Sequence, residues 1–167
     1  MVVTAVATRW TSSSRMGKFQ RDRDALVQMI RMPGGGYGAM AYWSRHVFFA
    51  ASDDNLRDYA IKNGRLMPNA ASKTKFDNPG ATPSVSADGN KHAIVWAIAT
   101  KTWNGGDRPA ILYALDASKI DQLLYTSEQN SQRDRAAMAT RFAIPVVVNG
   151  RVYFGARGEV ELYGLLK

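Results

Sequence analysis

The feature that most constrains this chain is a pattern of residue types that occurs three times. Its most regular part is a tyrosine followed by a small residue and then an aliphatic residue. The three copies are Asp58-Tyr59-Ala60-Ile61, Leu112-Tyr113-Ala114-Leu115 and Leu162-Tyr163-Gly164-Leu165. Their tyrosines are 54 and then 50 positions apart. A period of this size indicates that the chain repeats one supersecondary unit.

Two further elements precede each tyrosine in the same order. The first is a short lead segment, and the leads are Ala39-Met40-Ala41, Ala81-Thr82-Pro83 and Ala143-Ile144-Pro145. The second is a β-branched residue followed by an aromatic one, as strands prefer; these pairs are Val47-Phe48, Val95-Trp96 and Val152-Tyr153. Between lead and aromatic strand a tight turn is predicted, at Ser44-Arg45, Asp88-Gly89 and Asn149-Gly150. Asn-Gly is the strongest of these hairpin signals because both residues accept positive φ.

Each unit is therefore interpreted as strand, turn, strand, loop and strand, with a fourth strand at residues 64–70 and 121–128 in the first two units. Such units at this period are typical of propeller blades. The sequence predicts an all-β fold, a partial β-propeller of about three to four antiparallel four-stranded blades. The alternative, three unrelated hairpins in a β-sandwich, does not explain the ordered match.

The predicted boundaries place one partial propeller domain over residues 1–167. Residues 1–38 form a remnant blade or lead-in, 39–70 and 81–128 form blades, and 143–167 form an incomplete last blade. A closed propeller has about four to eight blades. We therefore expect the remaining blades of a longer chain, or other copies of this chain, to complete the ring.

Composition narrows the function classes. The chain has no cysteine, which excludes disulfides, thiolate metal sites and cysteine nucleophiles. Its net charge is +8, but the lysines and arginines are spread without a basic run, so nucleic acid is not the expected partner. No apolar run approaches the roughly 20 residues of a membrane-spanning helix, and no membrane span is expected.

Several stretches resemble a known family. "LYALDAS" (112–118) and "IPVVVNGRVYFG" (144–155) are the most specific, within a match covering about residues 16–166. The chain resembles the C-terminal blades of bacterial PQQ-like β-propeller repeat proteins, in the quinoprotein alcohol dehydrogenase-like superfamily. The resemblance implies a periplasmic or secreted protein. Some members of the family are dehydrogenases that hold pyrroloquinoline quinone (PQQ) above a calcium ion, whereas others keep the blades as scaffolds or binding modules.

No catalytic or metal-binding residue is predicted. Asp53 and Asp54 lack the spacing of a calcium loop and are interpreted as part of a turn between strands. His46 and His92 each begin a strand, and neither has a carboxylate or serine partner that the sequence reveals. Trp96 is expected to pack between blades. Trp103 lies in the loop "KTWNGGDRP" (101–109) and is the one candidate for a ligand-facing tryptophan.

These observations favour a non-catalytic β-propeller module, a scaffold or a binder of protein, peptide or saccharide partners through its blade loops, with no cofactor in this chain. It would be the C-terminal part of a larger PQQ-like propeller. The alternative is the C-terminal portion of a PQQ-dependent alcohol or sugar dehydrogenase. In that case PQQ and calcium would be held by residues upstream.

Overall fold

The structure is a computed structural model that describes residues 28–101 and 108–164, together with the backbone of residues 4–6. Within these ranges almost all regular structure is β. The strands are β1 (Thr4–Val6), β2 (Met29–Arg31), β3 (Ala41–Trp43), β4 (His46–Phe49), β5 (Asp54–Lys62), β6 (Arg65–Phe76), β7 (Ser84–Asp88), β8 (Lys91–Ala99), β9 (Ile111–Asp116), β10 (Leu123–Thr126), β11 (Val146–Val148), β12 (Arg151–Ala156) and β13 (Glu159–Gly164). A four-residue helix, α1 (Ser131–Asp134), lies between β10 and β11.

The strands form three antiparallel sheets, and in each sheet the order in space is the order in sequence. The first sheet is β3 to β6, the second is β7 to β10 and the third is β11 to β13. β1 and β2 pair antiparallel as a separate two-stranded ribbon. The prediction of an all-β chain built from small antiparallel sheets is confirmed.

The hairpin turns follow the chemistry of their residues, with one difference of register. Asn149-Gly150 joins β11 to β12 with positive φ at both residues, 50° and 70°. Ser44-Arg45 does the same between β3 and β4. Two positive φ values define the type I′ turn, whose twist matches that of the paired strands. In the second sheet the two turn residues are Gly89-Asn90, one position later than predicted, because Asp88 itself pairs with Lys91.

The fourth strand of the first sheet is longer than the sequence predicted. β6 continues to Phe76 and stays paired with β5 across two irregularities in register. Side chains stabilise these irregular positions. The side-chain amide of Asn55 donates to the Ser72 carbonyl at 2.9 Å, and the backbone amide of Leu56 donates to the Ser72 hydroxyl at 3.1 Å. Such side-chain contacts carry no periodicity in sequence, so the extension could not be read from the pattern.

The sheets stack face to face in chain order. Phe48 and Leu56 of the first sheet meet Val95 and Leu115 of the second in one buried cluster. A second cluster joins the second and third sheets and contains Ile98, Leu112, Val152 and Phe154. The opposite face of the first sheet packs against the ribbon side, in a third cluster that contains Val47, Phe49, Tyr59, Leu66 and Met32.

We call the side of a sheet that faces the preceding element its backward face, and the other side its forward face. Equivalent residues of the repeat point the same way in every sheet. Tyr59, Tyr113 and Tyr163 all lie on backward faces. Leu112 lies on the forward face of the second sheet. The repeat seen in the sequence is therefore a repeat of packing direction.

Among the described residues, the one helix has four residues, and nothing helical there is long or apolar enough to cross a bilayer.

Candidate functional site

The segments that precede the first strand of each sheet come together at one end of the strands. They border a small cavity that is lined by Thr82 and Ala143 of the second and third leads, by Gly38 directly before the first lead, and by Thr100 directly after β8. The space measures about 10 Å³, enough for about one water molecule. A Cβ atom on Gly38 would clash with the Thr82 hydroxyl, so glycine permits the close approach of two leads. We call Tyr37, Gly38, Thr82, Thr100 and Phe142 the lead cluster.

Phe142 is the most unusual residue of the lead cluster. Its backbone has φ of +63°, a left-handed conformation that is strained for a bulky side chain. Its ring is nevertheless 53% exposed and so gains little from burial. It lies beside Tyr37, with ring centroids 6.4 Å apart and an interplanar angle of 56°. Backbone strain of this kind clusters at active sites, ligand clamps and switch regions.

The hydroxyl of Thr100, which also lines the cavity, is buried. Its Oγ1 has no hydrogen-bond partner among the described residues. An unmatched buried hydroxyl costs about 1 to 3 kcal/mol. A water molecule or a ligand hydroxyl in the cavity would remove that cost, because a threonine hydroxyl both donates and accepts.

A second polar group lies between the first and second sheets. His46 Nδ1 is 2.8 Å from Oδ1 of Asp58, and Asn69 Nδ2 donates to Oδ2 of the same carboxylate at 2.6 Å. Asp58 is buried and the imidazole is partly exposed. The structure thus gives His46 a carboxylate partner that the sequence did not reveal. The two residues are 12 positions apart and meet because β4 and β5 pair with both side chains on the forward face.

The His46 group is framed by aromatic residues. The imidazole stacks on Phe48 with centroids 6.3 Å apart, and the Trp43 indole donates to the Gly89 carbonyl at 2.9 Å across the seam between sheets. Within the described ranges no serine or threonine hydroxyl is bonded to His46, so this group holds an oriented imidazole without a nucleophile beside it. Its visible role is to satisfy Asp58 and to join β4, β5 and β6.

Of the two acidic residues after β4, Asp53 lies in the turn before β5 and Asp54 accepts hydrogen bonds from neighbouring protein groups. Asp53 has φ of +57° in the turn before β5. Both carboxylate oxygens of Asp54 accept hydrogen bonds from Arg57, at 2.5 and 2.8 Å. Oδ1 also accepts from the backbone amide of Asn55 at 2.9 Å. The carboxylate of Asp54 is therefore occupied by Arg57 and its own backbone.

The described residues offer no calcium site of the kind that the dehydrogenases use. Calcium needs six to eight oxygen ligands, several of them carboxylates. Among residues 28–101 and 108–164, no three His, Asp or Glu side chains lie close enough together to hold a metal ion. We therefore assign no step through that cofactor to these residues.

A third polar group, which the sequence did not reveal, ties α1 to two sheets. The Tyr125 hydroxyl donates to Oδ2 of Asp134 at 2.9 Å, and the Tyr163 hydroxyl donates to the Asp134 carbonyl at 2.7 Å. The hydrogen bond from Arg133 lowers the pKa of the Asp134 carboxyl. Burial raises the pKa of Tyr125, and burial also raises the pKa of Tyr163, to about 12. The group is a structural joint between the second and third sheets.

The remaining sequence candidates are placed as follows. Trp103 lies outside the described residues. Trp96 packs between the second and third sheets, as predicted, and its indole donates to the Ser86 hydroxyl at 2.8 Å. His92 is exposed, with φ of +52°, directly after the β7–β8 turn. Of these, only Trp96 has a packing role that its alternating strand pattern could predict.

No family model, curated protein or solved structure matches this chain. The resemblance to PQQ-like propellers stays a prediction, and the functional argument depends on the geometry described above.

Proposed function

We propose that this chain is a non-catalytic module of β-propeller type that binds a protein, peptide or saccharide through the loops at one end of its sheets. The single observation that carries the proposal is the lead cluster. There, a strained and exposed Phe142, directly before the third lead, lies beside Tyr37, which is two residues before the first lead. Loops that are held by a rigid β-scaffold commonly carry the binding residues of such folds.

The propeller part of the proposal is supported by the arrangement of the sheets. β7, the first strand of the second sheet, lies against β3 and β11, the first strands of its two neighbours. From these inner strands each sheet continues outward strand by strand. Sheets that share an inner side and stack by their faces are the arrangement of blades around an axis.

The binding part is supported by the chemistry of the lead cluster. Tyr37 and Phe142 offer aromatic surface, and Thr100 offers a buried hydroxyl that lacks a described partner. Aromatic side chains give a large contact area at a low cost in conformational entropy. A ligand that combines an apolar face with a hydroxyl or carbonyl group fits this combination.

The test compares the wild-type chain with Phe142→Gly on a peptide array and a glycan array. Glycine accepts φ of +63° without strain, so this variant loses the ring while the backbone conformation is relaxed. We expect the wild-type chain to bind members of one array and Phe142→Gly to lose that binding at an unchanged thermal midpoint. Leu124→Ala, an exposed change on β10 in the second sheet, is the matched control and should bind as the wild type does.

Two results would contradict the proposal. One is that neither array gives binding above that of an unrelated protein of equal charge. The other is that Phe142→Gly binds as strongly as the wild type, which would remove the lead cluster from the contact surface.

A further inference from the structure

The cavity of the lead cluster has room for one hydroxyl group and contains a hydroxyl that could bond to it. The space measures about 10 Å³, which is roughly what one water molecule needs. Thr100 lines it and is only 4% exposed, and its Oγ1 has no hydrogen-bond partner among the described residues. A threonine hydroxyl both donates and accepts, so another hydroxyl can match it in either direction.

The lining of the cavity is neutral. Its described residues are glycine, alanine, proline, isoleucine, threonine and phenylalanine, none of which carries a charge. Lys101, directly after Thr100, forms an ion pair with Asp77 at 3.5 Å. Arg141, directly before Phe142, is exposed and does not line the cavity. A carboxylate or ammonium group buried in this cavity would lose its water without gaining an opposite charge, which disfavours a charged ligand group.

Two aromatic rings supply an apolar contact surface beside the hydroxyl. Phe142 lines the cavity and is 53% exposed, and Tyr37 next to it is 42% exposed. Their ring centroids are 6.4 Å apart and their planes are inclined by 56°, so the rings do not cover each other by stacking. Exposed aromatic faces pack against apolar groups, and the C–H groups on one face of a sugar ring form such a surface.

The backbone that lines the cavity is already paired, which disfavours a peptide ligand there. The Gly80 amide donates to the Asp77 carbonyl at 2.6 Å, and the Ala81 amide donates to the Ala50 carbonyl at 3.3 Å. A peptide bound against these two residues would find no free amide for its own carbonyl groups, and burying them unpaired is costly. A saccharide carries its polar groups as hydroxyls around the ring and needs no such backbone pairing.

We propose that the lead cluster binds a neutral saccharide. One face of a sugar ring packs on Phe142 and Tyr37, and one sugar hydroxyl enters the cavity and hydrogen-bonds to Thr100. The inference rests on the proposed function and selects one of the three ligand classes that it allows. The contact combines an apolar surface with one placed polar group, which is the usual composition of a small-ligand site.

Titration calorimetry of the wild-type chain and Thr100→Val tests the proposal. The probes are maltotriose, cellotriose, triacetylchitotriose and the neutral glycan that binds best on the glycan array. Valine has the shape of threonine without the hydroxyl, and this hydroxyl has no described partner to lose, so the variant should keep its thermal midpoint or raise it. We expect at least one probe to bind the wild type and to bind Thr100→Val about tenfold more weakly, through the lost hydrogen bond.

Two further variants control for the position and chemistry of the change. Thr100→Ser keeps the hydroxyl and should bind the same probe more tightly than Thr100→Val does. Thr74→Val makes the same chemical change on β6, outside the cavity lining, and should bind as the wild type does.

Three outcomes would overturn the proposal. The first is binding to peptides but to no neutral glycan, and the second is equal affinity of the wild type and Thr100→Val for the bound probe. The third is binding to acidic glycans alone, which would place the contact at Lys101 or Arg141 instead of the neutral cavity. Each of these leaves the proposed function standing, whereas a chain that binds neither peptides nor glycans contradicts both.

Discussion

Leu112 and Leu162 occupy the same position of the repeat but differ in burial. Leu112 is fully buried between the second and third sheets, whereas Leu162 is 54% exposed on the forward face of the third. Both follow from the same alternation of side chains along a strand, so the local sequence cannot separate them. A repeat therefore sets the direction in which a side chain packs, and the neighbouring sheet sets how much that packing contributes to the free energy of unfolding.

The largest expected effect is that of Leu112→Ala. Removing this side chain leaves a cavity beside Ile98 and Phe154, and the free energy of unfolding should fall by about 3 kcal/mol. Denaturant unfolding measures it, with the midpoint shifting and the slope unchanged. A loss below about 1 kcal/mol would mean that the seam between the second and third sheets is not packed as described.

Asp58→Ala should come next, with a loss of about 2 kcal/mol, because the change leaves His46 and Asn69 without their shared acceptor. Together with Leu112→Ala, this change compares the loss of unfolding free energy at a polar contact with that at an apolar contact between sheets. Asp88→Ala, an exposed change at the last residue of β7, is the control and should change stability by less than about 0.5 kcal/mol. Equal effects of the two changes would contradict a structural role for the Asp58 group.

Tyr163→Phe should cost about 1 kcal/mol at neutral pH through the lost hydrogen bond to Asp134. It should also change the dependence on pH. Burial raises the pKa of Tyr163 from 10.0 to about 12, so the folded chain holds this proton more tightly than the unfolded chain does. The resulting stability is complete below about pH 10 and is lost as the pH rises through 12.

The measurement for Tyr163 is the urea midpoint from pH 8 to pH 12. The wild type should lose more stability above pH 10 than Tyr163→Phe does. Tyr153→Phe, on the forward face of the same sheet, is the control and should behave as the wild type. If the urea midpoints of the wild type and Tyr163→Phe fall in parallel with pH, the hydroxyl of Tyr163 is exposed to solvent in the folded chain.

Leu162→Ala should have the smallest effect, below about 0.5 kcal/mol in dilute solution, since the side chain has little to lose there. The same unfolding experiment as for Leu112→Ala gives the ratio of the losses in unfolding free energy at the two equivalent positions. A cost near that of Leu112→Ala would break the comparison, because it would mean that the forward face of the third sheet is covered in dilute solution.

Much of the fold could be predicted from the sequence because strand chemistry is local. The triple repeat predicted small antiparallel sheets, and the turn at Asn149-Gly150 has the two positive φ values that this dipeptide favours. The alternation around Trp96 predicted its packing between sheets. The shift to Gly89-Asn90 and the extension of β6 to Phe76 were missed, because register irregularities depend on the partner strand.

The candidate site was harder to predict. Trp103 was the only ligand-facing candidate that the sequence supplied, and it lies outside the described residues. Phe142 carried no signal, because its strain and exposure depend on where three lead segments meet. His46 and Asp58 lie 12 positions apart and join only when β4 pairs with β5.

The repeating unit can be recognised in the sequence, because hydrophobic alternation and turn residues act over a few neighbouring positions of the chain. The packing of the sheets sets which equivalent residues are buried, which carboxylate contacts which imidazole and which aromatic ring stays exposed. The physical reason is that burial and hydrogen bonding are properties of pairs of surfaces. One strand specifies only its own side of each pair.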